Sequence, residues 1–139
     1  MTFKESPYYS DEANIKELQL PFGTFYLTDK YVVAEVNSGV TVDWKKITAL
    51  FDEIEKHYPE GHEVGYISNR INRYYSDPGY WSQLNLKYDF IVAIAIVSYD
   101  SLGYHNASME KSVVTRSLKR CTSLEEAIDF ILNLEELKY

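Results

Sequence analysis

The chain has 139 residues, the size of one ordinary domain that can bury roughly two thirds of its unfolded surface. Its net charge of −7 repels polyanions, so we expect no nucleic-acid partner. The single cysteine, Cys121, cannot close an intramolecular disulfide, and the first twenty residues lack the basic and apolar pattern of a secretory signal, which favours a cytoplasmic location.

The chain divides into a flexible N-terminal arm, residues 1–14, and a single domain, residues 15–139. The arm is polar and acidic and lacks periodicity. Two strands follow, at residues 22–27 and 31–36, joined by a tight turn at residues 28–30. We expect an antiparallel hairpin here.

Residues 43–57 show the apolar spacing of an amphipathic helix, with Thr41 or Asp43 available to cap its start. A third strand is predicted at residues 63–68, and a short helix from about residue 78 to residue 84. Asp77 is its expected N-cap and Pro78 its expected first residue, because proline favours the first helical position.

The run "FIVAIAIVS", residues 90–98, predicts a fourth strand that is buried on both faces, central and parallel to a neighbour. The run is far shorter than the ~20 residues that a transmembrane helix needs, so we expect no transmembrane segment. A helix within residues 101–115 and a short edge strand at residues 117–121 follow. The last helix lies within residues 122–137 and opens with a capping box, either Thr122 with Glu125 or Ser123 with Glu126.

This order of elements predicts an α/β fold. Alternating strands and helices require right-handed crossovers that place helices on a sheet. We expect a mixed four- to five-stranded sheet that starts with a β-hairpin and carries about four helices.

Sequence motifs for catalysis are absent. No nucleophile elbow and no glycine-rich phosphate-binding loop occurs. The three histidines, His57, His62 and His105, lack further metal ligands at a recognisable spacing, and a lone cysteine such as Cys121 is usually a small core residue. We therefore expect neither enzymatic activity, nor a bound metal, nor a cofactor.

The segment "SNRINRYYSDPGYW", residues 68–81, is the strongest candidate for a functional surface. It leaves the carboxyl end of the third strand, the edge at which open α/β sheets meet ligands. Its charged, amide and aromatic side chains suit contact with a partner. In the alternative interpretation the arginines pair with acidic neighbours and the aromatic rings pack beneath the loop. The predicted partner-binding residues are Asn69, Arg70, Asn72, Arg73, Tyr74, Tyr75, Tyr80 and Trp81.

Several stretches resemble STAS-like proteins, the group that includes the anti-sigma factor antagonists. They are "SNRINRYYSDP" after the third strand, "AIVSY" at the end of the fourth and "TSLEEAIDF" in the last helix. More narrowly, the chain resembles small uncharacterised bacterial STAS-like proteins that are often grouped with CRAL-TRIO lipid-exchange domains. The resemblance spans residues 22–130 and implies a STAS-like fold.

In the antagonists a serine at the start of the helix after the third strand is phosphorylated to release a partner. The matching position here is Ser76, although the order is Ser-Asp-Pro-Gly. With Asp77 at the helix start, a phosphate on Ser76 would face a carboxylate that already occupies the favourable position. The resemblance therefore makes Ser76 a candidate phosphorylation site with an unfavourable neighbour.

Two functions follow as hypotheses. The first is a non-enzymatic regulatory module that binds a protein partner through residues 69–81. The second is a small-ligand or lipid-binding protein of the CRAL-TRIO-related type, which takes an apolar molecule. The 13 tyrosines fit either a tyrosine-rich core or contact surfaces, and they also allow a weak homodimer.

Overall fold

The computed structural model describes residues 1–10, 14–113 and 117–134, with all side chains in these ranges except those of residues 109 and 111–113. No helix in this part of the chain is long and apolar enough to cross a membrane. In chain order the elements are β1 (Lys16–Leu20), β2 (Gly23–Leu27), β3 (Tyr31–Val36), β4 (Thr41–Val42), α1 (Trp44–His57), β5 (Val64–Asn69), β6 (Tyr75–Ser76), α2 (Tyr80–Lys87), β7 (Ile91–Val97), α3 (Ser101–Val113), β8 (Ser117–Cys121) and α4 (Leu124–Leu132).

One mixed sheet of six strands organises the fold, in the order β1-β2-β3-β5-β7-β8. The β1–β2 and β2–β3 pairs are antiparallel, and the next three pairs are parallel. A second sheet pairs β4 with β6. The predicted α/β class with a mixed sheet is confirmed, but the expected four to five strands were too few because β1 was missed. That strand lies at the sheet edge and is largely exposed, so it lacks a strong apolar pattern.

The parallel strands follow one another across the sheet in sequence order. Right-handed crossovers that all run in one direction place α1, α2 and α3 on the same face. Their side chains join Val32, Ala34 and Val36 of β3 in one core, while Val33 of β3 packs on the opposite face with α4. The sheet therefore has a buried layer on each side.

Several boundaries follow from local chemistry. Asp43 caps α1 by accepting a 2.8 Å hydrogen bond from the Lys46 amide, as one of the two predicted caps requires. Ser123 caps α4 by accepting one from the Glu126 amide at 3.1 Å, as the second predicted box requires. The Glu126 carboxylate accepts from the Thr122 amide at 2.8 Å instead of the Ser123 amide, so only half of that box forms. The predicted edge strand is confirmed as β8. Of the longer predicted helices, residues 114–115 and 135–137 lie outside the described part.

The N-terminal segment packs on the face that α4 covers. Phe3 is fully buried, and its ring lies 5.1 Å from that of Tyr26 and 6.2 Å from that of Tyr31. Its amide donates a 2.7 Å hydrogen bond to Glu35. The predicted flexible arm thus contains a buried anchor that its polar composition did not reveal; residues 11–13 lie outside the described part.

Candidate functional site

A cleft of about 400 Å³ opens at the sheet edge where β5 and β7 end. Its lining comes from two segments of the chain: residues 70, 72–76 and 78 from the first, and residues 98–100, 102, 103, 106 and 110 from the second. We call it the edge cleft. Its volume lies within the range of roughly 300–1,000 Å³ that is typical of small-molecule sites, and it lies at the edge where open α/β sheets bind ligands.

The inner end of the edge cleft contains an ion pair between Glu110, which is buried, and Arg70, whose side chain is 20 % exposed. Arg70 contacts both oxygens of Glu110, from Nη1 at 2.5 Å and from Nη2 at 2.8 Å. Arg70 Nε also donates to Ser68 Oγ at 3.1 Å. Burial disfavours the charge of Arg70, but Tyr74 and Glu110 outweigh it and raise the pKa of the guanidinium. Arg70 is therefore a fixed, paired cation.

A second ion pair lies at the solvent side of the cleft. Arg73 Nη2 is 3.1 Å from Asp100 Oδ2, and the Arg73 side chain is 76 % exposed. Asp100 Oδ1 accepts a 2.6 Å hydrogen bond from the Gly103 amide, so the same carboxylate also caps the first turn of α3. The pair joins the two sides of the cleft.

Three tyrosines contribute aromatic surface. Tyr74 is half-buried, with its hydroxyl 3.0 Å from Ser68 Oγ and the Arg70 guanidinium 5.6 Å from its ring centre. Tyr75 is 62 % exposed and Tyr99 44 % exposed. Desolvation, together with the charge of Glu35, raises the pKa of Tyr99 to about 12. The cleft is thus bordered by rings that a ligand or partner can contact.

Asn69 is buried, and its side chain is hydrogen-bonded within the chain. Its side-chain amide donates to Glu35 Oε2 at 2.8 Å and to the Met1 carbonyl at 3.0 Å, and it accepts a 2.6 Å hydrogen bond from the Tyr99 hydroxyl. The residue is 1 % exposed. Asn69 therefore connects the end of β5 to the N-terminal segment and to one border of the cleft.

The remaining predicted contact residues divide into two groups. Asn72 is exposed and donates to the Val36 carbonyl at 3.1 Å. Tyr80 packs its ring 5.4 Å from that of Trp44, and Trp81 is buried, with Nε1 donating to Glu110 Oε2 at 2.7 Å. Of the eight predicted residues, five line the edge cleft: Arg70, Asn72, Arg73, Tyr74 and Tyr75.

Ser98 follows β7 and lies at the base of the edge cleft. It is 4 % exposed, and its hydroxyl is the one buried side-chain polar atom of the described residues that lacks a hydrogen-bond partner. A buried hydroxyl without a partner costs roughly 1–3 kcal/mol. Such a group is a natural point for a hydrogen bond to a ligand.

The start of α2 differs from the prediction. The helix begins at Tyr80 with Gly79 as its N-cap, so neither Asp77 as N-cap nor Pro78 as first helical residue was right. Asp77 Oδ1 instead accepts a 2.9 Å hydrogen bond from the Gly79 amide, which forms a separate turn before the helix. Ser76 belongs to β6, half-buried beside the cleft, four residues before α2.

His62 and Cys121 are engaged away from the edge cleft. His62 Nε2 lies 2.7 Å from the Asp29 carbonyl, and its ring stacks on that of Tyr58 at 4.9 Å. Cys121 is fully buried, and burial raises the pKa of its thiol to about 11, which keeps the thiol protonated near neutrality. Among the described residues, no group of three or more histidines, cysteines and acids could hold a metal ion.

Sequence reasoning missed the part of the site that follows β7, including Ser98, Tyr99, Asp100, Asn106 and Glu110. Ser98 and Tyr99 follow the buried strand β7. Ligands of open α/β sheets bind at the carboxyl ends of the strands, so the end of β7 was as good a candidate as the end of β5. Glu110 gave no such signal, because its position depends on how α3 packs. Comparison of this chain with protein-family models, with curated proteins and with solved structures finds no match.

Proposed function

We propose that this protein binds a small organic molecule in the edge cleft. The observation that carries the proposal is the buried, unpartnered hydroxyl of Ser98 at the base of a cleft of about 400 Å³. The position at the carboxyl ends of two parallel strands supports it. No step in this proposal requires catalysis, which agrees with the non-enzymatic role expected from the sequence.

The lining favours a polar molecule over a lipid. Two ion pairs and two asparagines border the cleft. A second cavity, which shares Arg70 and Tyr74 with the cleft and is also lined by Trp81 and Leu84, holds only about 30 Å³. A lipid chain needs a continuous apolar channel, and a cavity of that size takes about one water molecule. The CRAL-TRIO-related, lipid-binding version of the hypothesis therefore has less support than a polar ligand.

Native mass spectrometry of freshly purified protein tests the proposal. We expect an adduct of a few hundred daltons that is reduced in a Tyr75→Ala variant and kept in a Leu86→Ala variant, since Leu86 is 89 % exposed on α2 and does not line the cleft. An adduct in the mass range of a lipid would favour the apolar alternative. An unmodified mass, together with no binding in a screen of metabolites, would remove the function.

A second candidate is the regulatory partner-binding role implied by the resemblance to STAS-like proteins. It is favoured by the exposed side chains around the cleft, where Leu102 is 54 % exposed beside Tyr75 and Tyr99. Exposed aromatic and apolar groups next to an arginine are typical of the centres of protein interfaces. The protein partner would contact this rim, and Ser76 remains a candidate switch residue under the same hypothesis.

A quantitative pull-down with Arg73→Ala and Tyr75→Ala variants tests the partner-binding role. Arg70→Ala is unsuitable, because it would leave the buried Glu110 without its cation. Proteins that are lost from both variants and kept by Lys56→Ala, whose side chain is exposed on α1, would support the role. An unchanged set of bound proteins would contradict it.

A further inference from the structure

The charges that line the edge cleft cancel. Arg70 and Arg73 contribute +2, Asp100 and Glu110 contribute −2, and each arginine contacts one of the carboxylates. A net anion would meet two carboxylates and a helix start that Asp100 already caps, while a net cation would meet two arginines. The cleft therefore gives no net attraction to a ligand of either sign.

The groups that stay available to a ligand are uncharged. They are the buried hydroxyl of Ser98, the exposed amides of Asn72 and Asn106, and the rings of Tyr75 and Tyr99. Amides offer paired donors and acceptors, and tyrosine rings offer flat surfaces on which a planar ring can stack. Together these groups suit a molecule that has a flat heteroaromatic ring and several neutral hydrogen-bonding atoms.

We propose that the ligand of the edge cleft is an uncharged heteroaromatic compound of about nucleoside size. The inference rests on the proposed ligand-binding function and adds to it the chemical class. The ring stacks on Tyr75, an amide side chain recognises its edge, and a polar atom of the ligand hydrogen-bonds Ser98 Oγ. A phosphate on the same compound weakens binding, because it loses hydration in the cleft while Arg70 and Arg73 are already paired with carboxylates.

Isothermal titration calorimetry with matched probes tests the class. The probes are adenosine, guanosine, cytidine and uridine, each with its 5′-monophosphate, and glucose as a neutral ligand without an aromatic ring. We expect at least one nucleoside to bind, its monophosphate to bind about two- to fivefold more weakly, and glucose not to bind. A monophosphate that binds more tightly than its nucleoside would overturn the inference.

Substitutions in the edge cleft test whether the nucleoside binds there. Ser98→Ala should weaken nucleoside binding about three- to tenfold, whereas Ser117→Ala, an exposed serine at the opposite end of the parallel strands, should leave it unchanged. Tyr75→Ala should weaken binding about fivefold or more, and Tyr75→Phe, which keeps the ring, should not. Nucleoside binding that survives Tyr75→Ala unchanged would contradict stacking at this position.

The outcomes separate this inference from the function on which it rests. If no probe binds while native mass spectrometry still shows an adduct that Tyr75→Ala reduces, the ligand class is wrong and the ligand-binding function stands. If no probe binds and no adduct is found, both fail. Because Ser98→Ala removes a buried hydroxyl without a partner, it should not destabilise the fold, so its binding result can be interpreted.

Discussion

Trp81 and Glu110 meet in the protein interior, where Trp81 Nε1 donates a 2.7 Å hydrogen bond to Glu110 Oε2 across 29 residues of chain. Arg70 contacts the same carboxylate. Glu110 therefore links α3 both to α2 and to the loop that follows β5. Two of these elements, α3 and the loop after β5, line the edge cleft, so one carboxylate joins the two segments that form it.

Replacing Glu110 by Ala should lower the free energy of unfolding by about 3–5 kcal/mol, because it leaves the Arg70 charge and the Trp81 donor without their partner. Urea denaturation measures the loss. Adding Arg70→Met to the variant should recover part of it, since the uncompensated charge is then removed. As a control, Glu53→Ala breaks an exposed pair with Lys56 and should cost less than about 1 kcal/mol.

A loss for Glu110→Ala as small as that of Glu53→Ala would show that the carboxylate does not hold the three elements together. So would a double variant that is less stable than Glu110→Ala alone. Either result would also weaken the description of Arg70 as a residue fixed by pairing.

The fold could be read from the sequence where local chemistry decides the structure. Asp43 and Ser123 mark helix starts, and the continuous apolar run of β7 marks a strand with neighbours on both sides. Features that form only through contacts between distant parts of the chain could not be predicted from local sequence patterns. The edge strand β1 and the burial of Phe3 depend on partners that are distant in sequence.

The sequence predicted the location of the candidate site better than the orientation of its side chains. The sequence indicated the edge after β5, and five of the eight predicted residues line the cleft there. It did not indicate that Arg70 and Trp81 point inward, because their common partner, Glu110, lies 40 residues beyond Arg70. The alternative interpretation, in which arginines pair with acids, describes both Arg70 and Arg73.

The buried position of Phe3 predicts that the N-terminal segment stabilises the domain. Phe3→Ala should lower the free energy of unfolding by about 3–5 kcal/mol, since the ring is fully buried beside Tyr26 and Tyr31. Lys4→Ala, which removes a salt bridge between exposed groups, Lys4 and Glu17, should cost much less than Phe3→Ala. Equal small losses in urea denaturation would instead support a flexible arm.

Buried tyrosines predict a loss of stability at alkaline pH. Burial raises the pKa of Tyr31 to about 12 and, together with the charge of Glu35, the pKa of Tyr26 to about 12, against an ordinary value of 10.0 in the unfolded chain. The folded state therefore holds these protons longer. The stabilisation is complete below about pH 10 and is lost as the pH rises toward 12.

Urea denaturation between pH 8 and pH 11.5 measures this decline. Tyr31→Phe should make the decline shallower, because it removes one group whose pKa differs between the two states. Leu86→Ala, at an exposed side chain that does not titrate, should leave the slope unchanged. A slope that is the same in both variants and in the wild type would exclude Tyr31 as a source.

Gly65 and Ile131 set the distance between β5 and α4. A Cβ atom added at Gly65 would come within 2.7 Å of Ile131 Cγ2, closer than such atoms approach in folded proteins. Gly65→Ala should therefore lower the free energy of unfolding by about 1–3 kcal/mol, because either the helix or the isoleucine must shift. Thermal or urea denaturation measures the change.

The Ile131→Ala substitution removes the three atoms nearest to the new methyl group. By itself it should cost about 2–5 kcal/mol, since Ile131 is fully buried. Combined with Gly65→Ala, the loss should be smaller than the sum of the two single losses by about 1 kcal/mol or more, because the clash is gone and the methyl group fills part of the cavity.

The matched control is Gly39→Ala, where φ is 77° and no atom lies within 4 Å of the added Cβ. The stability that Gly39→Ala loses comes from backbone strain alone, so it should simply add to the loss caused by Ile131→Ala. If the stability losses of Gly65→Ala and Ile131→Ala were also additive, the close approach of β5 and α4 would be refuted.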